Sequence, residues 1–215
     1  NLLEGWIPHL YQQLRDTSAL VRRSAVVVLS ELIFHDIIKV KGSLYLMGLA
    51  LIDSEERVRD LAHTFFHEYS SKTNAIYNAL PDLISSLGKE DLSKKDFEYI
   101  TKYIFSFIAK DKQHEQLMGK LCARFTMNEQ TPKQWACTAY CLSLLNYNER
   151  SLRKLIESAK AFGNKLHVTD VKDAFLSLCH RLRKFAKVEM KTLVDTFETL
   201  IMKEAGTNEM EQIGR

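Results

Sequence analysis

One pattern occurs twice in this chain: an aspartate, four residues, then Val-Arg. The first copy is LRDTSALVRRSA, from Leu14 to Ala25, and the second is LIDSEERVRDLA, from Leu51 to Ala62. Leu14 and Leu51, Asp16 and Asp53, Val21 and Val58, Arg22 and Arg59, and Ala25 and Ala62 coincide at an interval of 37 residues, and Glu31 and Glu68 extend the match. Self-similarity at this period is the mark of a helical solenoid, in which each helical pair exposes an apolar face that only a neighbouring pair can cover. Solenoids hold partners more often than they carry out chemistry, so the functional question turns toward interaction.

Composition agrees with that architecture. A hydrophobic content of 46% supplies a core, and only 8 glycines and 3 prolines in 215 residues argue against an all-β chain with many tight turns. Net charge is +3, too mild to imply nucleic acid by itself. The longest apolar runs, such as Ala25 to Leu29, are too short to span a bilayer, and no secretory signal is present. The chain opens at Asn1 without a methionine and runs straight into helical pattern, as expected of an excised piece of a longer protein. Cys122, Cys137, Cys141 and Cys179 form no CxxC pair and read as small buried hydrophobes of a reduced, intracellular protein.

Helical spacing recurs along the chain as far as Glu204. Trp6, Ile7, Leu10, Tyr11 and Leu14 make a first helix with Pro8 in its first turn, and Asp16 is placed to cap a second from Ser18 to about His35. HDIIKVKGS (His35 to Ser43) links to a short apolar helix, Leu44 to Ile52. Asp53, with Glu56 three residues on, predicts a capping box for its partner helix. Asn74 is a candidate cap for the third pair, and Pro81 inside that helix predicts a kink. A fourth pair breaks at Thr131-Pro132. A fifth opens at Leu152 and is closed by Gly163, with Thr169 capping its second helix, where Val171, Phe175, Leu178, Leu182 and Phe185 form a stripe. A last helix is expected from about Glu189 to Glu204, and 205–215 reads as a disordered or weakly packed tail.

The Asp-to-Val-Arg spacing is similar to that of HEAT repeats. In that family the aspartate sits at the turn between two helices, the arginine lies on the second, and together they form a ladder along the stack. The resemblance implies that Asp16, Arg22, Asp53 and Arg59 are such a ladder. Later segments, Lys89 to Asp96 and Thr126 to Lys133, carry no Val-Arg sequel. The expected fold is therefore an all-α HEAT-repeat α-solenoid of about five helical pairs plus a final helix. It covers 1–204, with the clearest pattern over 5–88 and degenerate pairs over 93–204.

No catalytic constellation emerges. HTFFHE places His63 and His67 one helical turn apart, but zinc proteases need a glutamate where Thr64 stands, and no third ligand is evident nearby, so a solvated helix face is the expectation. There is no glycine-rich phosphate loop and no GxSxG. The chain reads as a non-enzyme with no cofactor, no metal and no membrane contact.

Two segments are candidates for contact. Residues 150–191 hold 11 Lys and Arg against 4 Asp and Glu. Within them His180, Arg181, Arg183, Lys184 and Lys187 lie opposite the apolar stripe; they suit either a nucleic-acid or acidic-protein contact, or a solvated helix end where cations are favoured anyway. The loop KVKG, Lys39 to Gly42, suits either a docking element held by a rigid scaffold or a plain solvated turn.

The strings LIFHDIIKVKG, LALIDSEERVRDLAHTFFHEYSSKTNAIYNALPDLISSL and FIAKDKQHEQLMGKLCARF resemble the C-terminal HEAT region of the condensin subunit 1 family, the non-SMC regulatory HEAT subunits. NAIYNALPD, from Asn74 to Asp82, is the most specific stretch, and the related subunit of the second condensin complex is the nearest confusion. The resemblance implies a non-enzymatic role in mitotic chromosome condensation. It also implies a solenoid that binds the kleisin subunit, docks on an SMC ATPase head and helps to hold double-stranded DNA, with hydrolysis left to the SMC heads. It implies residence in the nucleus and on chromosomes, and in the cytoplasm for part of the cell cycle. The family's lysine-glycine loop, which contacts the SMC head, matches Lys39, Lys41 and Gly42. Asn74, Tyr77, Asn78 and Pro81 either cap and pack or frame a groove for a partner's aromatic side chain. Two other readings remain: a direct nucleic-acid-binding helical-repeat module using Arg181, Arg183, Lys184 and Lys187, and a generic transport or adaptor HEAT protein.

Overall fold

The structure is a computed structural model that describes residues 5–40, 42–185 and 187–213. Every regular element among the described residues is helical, and the chain is an all-α helical repeat. It divides into two compact units between Phe107 and Ile108.

The first unit holds three helical pairs. Helix α1 (Ile7–Gln12), with proline at its start, runs into a 3-10 turn at Gln13–Arg15 and pairs with α2 (Ala19–Phe34). Helix α3 (Leu44–Leu49) runs into a 3-10 turn at Ala50–Ile52 and pairs with α4 (Glu56–Ser71). Helices α5 (Ala75–Leu87) and α6 (Lys94–Phe105) complete the set. Leu29, Met47, Leu51, Phe65, Phe66, Leu80, Ile84 and Leu87 are fully buried in its core.

The repeated sequence produces a repeated turn. Asp16 and Asp53 end their 3-10 turns with the same extended backbone, φ −61° and ψ 148° against φ −55° and ψ 149°. Each aspartate then accepts a hydrogen bond from the amide two residues on: Ser18 N–H to Asp16 Oδ1 at 2.7 Å, Glu55 N–H to Asp53 Oδ1 at 2.8 Å. The arginine of each copy folds back on that turn. Arg22 donates to the carbonyls of Asp16 and Thr17 at 2.8 and 3.1 Å, and Arg59 to those of Asp53 and Ser54 at 2.6 and 3.0 Å. Arg22 also reaches the next pair, as a fork on the Asp53 carboxylate.

This corrects the capping expected at both sites. The N-caps are Ser18 and Glu55, neither with a side-chain cap bond, and Glu56 opens α4 without forming a box. Each aspartate stands two residues ahead of its N-cap, so its carboxylate closes the turn as an Asx-type bond and does not reach the first helical amides.

Stacking also explains a difference between the two copies. Phe65 of α4 is buried against Phe34 of α2, ring centroids 5.5 Å apart. Its repeat counterpart Val28 has no such cover among the described residues and is 44% exposed.

The second unit holds α7 (Asp111–Arg124), α8 (Pro132–Leu144), α9 (Glu149–Glu157), α10 (Ala159–Phe162), α11 (Thr169–Phe185) and α12 (Val188–Ile213). Thr131 caps α8 with a full capping box completed by Gln134, and Asn148 with Ser151 does the same for α9. Phe162, Phe175 and Phe197 form its aromatic centre, Phe162 stacking on Phe175 at 4.6 Å and Phe197 meeting Phe175 edge-on at 5.8 Å. Burial of rings of this size contributes about 1.5–3 kcal/mol each.

Three expectations in this unit are corrected. The fifth pair's first helix is not continuous: it breaks at Ser158 before α10 ends at the expected Gly163, its C-cap, which lies in αR backbone and leaves room for Glu204, whose Oε2 would lie 3.2 Å from an added Cβ. Thr169 is the first residue of α11 and not its cap, because the Val168 carbonyl already accepts the Val171 and Lys172 amides. Helix α12 passes Glu204 and runs to Ile213, continuing beyond Ala205, which is buried.

Candidate functional site

The site is built where α2 ends. His35 closes that helix, Asp36 turns through left-handed backbone at φ 57°, and the amides of Ile37 and Ile38 return to the Leu32 carbonyl. Lys72, just past α4, locks this corner. Its Nζ donates to the carbonyls of Ile33 and Phe34 at 3.0 and 3.3 Å and to Asp36 Oδ1 at 2.7 Å. That hydrogen bond and the ammonium charge hold the Asp36 carboxyl below its usual range. Ile38 is buried and anchors the loop that follows, so Lys39 stands exposed and Val40 is half-buried. Lys41 lies outside the described residues.

This loop and α5 share one cavity of about 200 Å³. Val40 and Gly42 line it from the loop, Leu44 and Tyr69 from α3 and α4, and Ala75, Asn78, Ala79, Asp82 and Leu83 from α5. The α5 residues recur at i, i+3, i+4, i+7 and i+8, one face of a helix, and the two alanines leave the space. A Cβ on Gly42 would meet nothing within 4 Å, so packing among described residues does not demand glycine there. The lysine-glycine loop and the Asn74–Asp82 stretch, separate strings in the sequence, thus border one concavity.

Not every candidate residue faces it. Of Asn74, Tyr77, Asn78 and Pro81, only Asn78 lines the cavity. Tyr77 and Pro81 are half-buried, and α5 is helical throughout with Pro81 in its interior. Asn74 holds the N-cap position but makes no side-chain cap bond. Its backbone is left-handed, φ 60°, whereas a capping side chain needs the β region to reach the helix amides. Ala75, Ala79, Asp82 and Leu83 were missed; the signal for them was the small residues at i and i+4 beside Asn78.

The four basic candidates, three on α11 and Lys187 between α11 and α12, separate. Arg181 NH2 donates to the carbonyls of Ser143 and Leu145 at 2.7 Å each, closing the end of α8, and burial pushes its pKa down. Arg183 pairs with Asp195 at 2.6 Å and with Glu198. Lys184 and Lys187 are exposed. The two histidines of HTFFHE pack on aromatic rings. His63 Nε2 lies 3.1 Å from Tyr99 Oη and its ring meets Tyr103 edge-on at 4.5 Å, while His67 meets Phe107 at 6.4 Å. Among the described residues no group of three or more His, Cys, Asp or Glu is placed to hold a metal, and no helix is long and apolar enough to cross a membrane.

Comparison with known proteins matches residues 1–143 to the family model of the non-SMC mitotic condensation complex subunit 1. Condensin complex subunit 1 of Homo sapiens is 45% identical over 200 residues, 92% of this chain and 14% of that protein. The protein of the same name from Xenopus laevis is 44% identical over 200 residues, 92% of this chain and 15% of that protein. Condensin-1 complex subunit CAP-D2 of Arabidopsis thaliana is 43% identical over 204 residues, 94% of this chain and 14% of that protein. The chain therefore spans about a seventh of the length of these relatives. With well over half of its residues matched to that model, the chain belongs to the family of non-SMC mitotic condensation complex subunit 1.

Proposed function

We propose that this chain is a segment of a non-enzymatic scaffold subunit of condensin that acts in mitotic chromosome condensation. Its role is to present a rigid docking corner to an SMC ATPase head, with the kleisin as a further partner and double-stranded DNA held by the assembly. It works in the nucleus and on chromosomes, and resides in the cytoplasm for part of the cell cycle.

The observation that carries this reading is the shared cavity. The loop ending at Gly42 and the face of α5 through Asn78 and Asp82 border one space, and Lys39 stands exposed on that loop. Lys72 fixes the corner before any partner arrives, so little ordering entropy remains to be lost on binding. An exposed lysine beside a small half-apolar concavity suits a partner surface that offers a carboxylate and one inserted side chain.

Separate reconstitution tests the reading. The isolated SMC head, a kleisin segment and a short duplex DNA are each offered to the chain, and binding of the head or the kleisin is expected to dominate. Duplex binding alone, with a salt slope that flattens when Lys184 and Lys187 are neutralised, would replace the scaffold reading with direct nucleic-acid binding.

A further inference from the structure

A second concavity lies in the other unit and owes nothing to the loop at Lys39. It measures about 480 Å³ and is lined by Asn146, Tyr147 and Asn148 between α8 and α9, by Glu149 at the start of α9, by Arg181 and Leu182 on α11, by Lys187 just before α12 and by Met190 in its first turn.

Its walls are fixed by bonds already made. Asn146 N–H donates to His114 Nδ1 at 3.3 Å, Tyr147 Oη donates to the Leu142 carbonyl at 3.0 Å, and Asn148 Oδ1 accepts the Ser151 amide at 2.9 Å. Arg181 holds the same segment through two carbonyls, both bonds coming from one terminal nitrogen. A guanidinium carries five N–H donors. The three on Nε and NH1 have no acceptor among the described residues, and they are not among the sealed, unpartnered polar atoms. Arg181 is half-buried and lines the cavity. Lys187 adds an exposed ammonium, and the first turns of α9 and α12 begin at the cavity's Glu149 and just after its Lys187, where helix ends favour an anion. Tyr147, Leu182 and Met190 supply apolar lining, and Val188, next to Lys187, is 80% exposed.

We propose that this cavity is a docking site for a short linear peptide segment carrying a carboxylate beside a large apolar side chain. The carboxylate meets Arg181 and Lys187, and the apolar side chain lies on Tyr147, Leu182 and Met190. A nucleic-acid backbone fits less well. It needs a row of cations, yet Arg183 is neutralised by Asp195 and Glu198. Arginine suits planar, bidentate carboxylates, and the apolar lining gives a peptide side chain area that a phosphate cannot use.

The test uses an array of short synthetic peptides in which Asp or Glu precedes Leu, Phe or Met, with Asn or Gln counterparts, probed with the whole chain. Lys187→Glu is the principal variant, because Lys187 is exposed, whereas Arg181 also closes α8. Lys184→Glu is the control, exposed on α11 but not lining the cavity. The expected result is binding of acid–apolar peptides over their amide counterparts, weakened at least about tenfold by Lys187→Glu and less than about twofold by Lys184→Glu. Equal binding of the amide peptides, equal losses in both variants, or displacement of bound peptide by duplex DNA would each overturn the proposal. None of these outcomes bears on the SMC head, which the other unit is proposed to meet.

Discussion

Arg22 meets Asp53 as a fork, Nε to Oδ2 at 2.6 Å and NH2 to Oδ1 at 2.8 Å, across the boundary between two helical pairs. Only 13% and 10% of the two side chains is exposed. The same guanidinium holds the carbonyls of its own turn, so one residue joins the turn of the first pair to the turn of the second.

Arg22→Ala leaves the Asp53 carboxylate largely buried without its partner and is expected to cost about 2–3 kcal/mol. Arg22→Lys restores a charge but not the fork and recovers less than half of that loss. Urea unfolding followed by circular dichroism measures both, and a double-mutant cycle with Asp53→Asn isolates a coupling of about 1–2 kcal/mol. Burial opposes ionisation of Asp53, but the hydrogen bonds from Arg22 and the Glu55 amide, with the charges of Arg22 and Arg59, outweigh it and hold the carboxyl below its usual range. That stabilisation is complete above the unfolded carboxylate pKa of about 3.9 and is lost as pH falls toward the depressed folded value, so Asp53→Asn flattens the acid limb of the stability curve.

His114 gives the second unit its own pH dependence. The ring is buried, with Nε2 at 3.0 Å from the Ile108 carbonyl and Nδ1 accepting from Asn146 N–H, so the neutral form fits. Burial, opposed by the Ile108 hydrogen bond and by Asp111, pushes its pKa down. The stabilisation is full above the unfolded histidine pKa of about 6.5 and is lost as pH falls below it. Urea midpoints should therefore drop on acidification through that range in the wild type and stay flat there in His114→Gln.

Lys72 is expected to govern the corner that carries Lys39. Lys72→Met removes all three of its bonds to Ile33, Phe34 and Asp36. Amide hydrogen exchange should accelerate across 35–43 by about tenfold or more, while core amides of α4 around Phe65 and Phe66 change little. Uniform acceleration throughout the unit would show a general stability loss in place of a local clamp.

The four cysteines are buried, and burial raises each thiol pKa, to about 11 for Cys137 and about 12 for Cys122 and Cys179. Native chain should resist a thiol-directed reagent at pH 8, with all four reacting only after unfolding. Rapid labelling of a single position in native buffer would mark local opening.

The repeat was readable because its chemistry is local. The aspartate, the following turn and the Val-Arg all lie within one short segment, and both copies fold alike. The cap chemistry was misread because a two-residue shift separates an Asx turn from a cap, and that shift depends on the 3-10 turns at Gln13–Arg15 and Ala50–Ile52. Asn74 failed for a similar reason, since nothing in its neighbours' identities announces left-handed backbone. The cavity beside Gly42 was only half legible. The loop and the α5 stretch stood out as strings, but their meeting depends on Lys72 reaching back to Asp36, a long-range bond invisible to periodicity. Within the basic patch the pairing of Arg183 was not legible, because the acids that pair with it sit on the next helix.

The central claim, that this corner docks on an SMC ATPase head, is tested most directly by titrating the isolated head with the wild-type chain and with the double variant Lys39→Glu, Lys41→Glu. The account predicts a loss of at least about tenfold in affinity, steeper at low salt, with an unchanged melting curve. Unchanged affinity in the charge-reversed chain would contradict it.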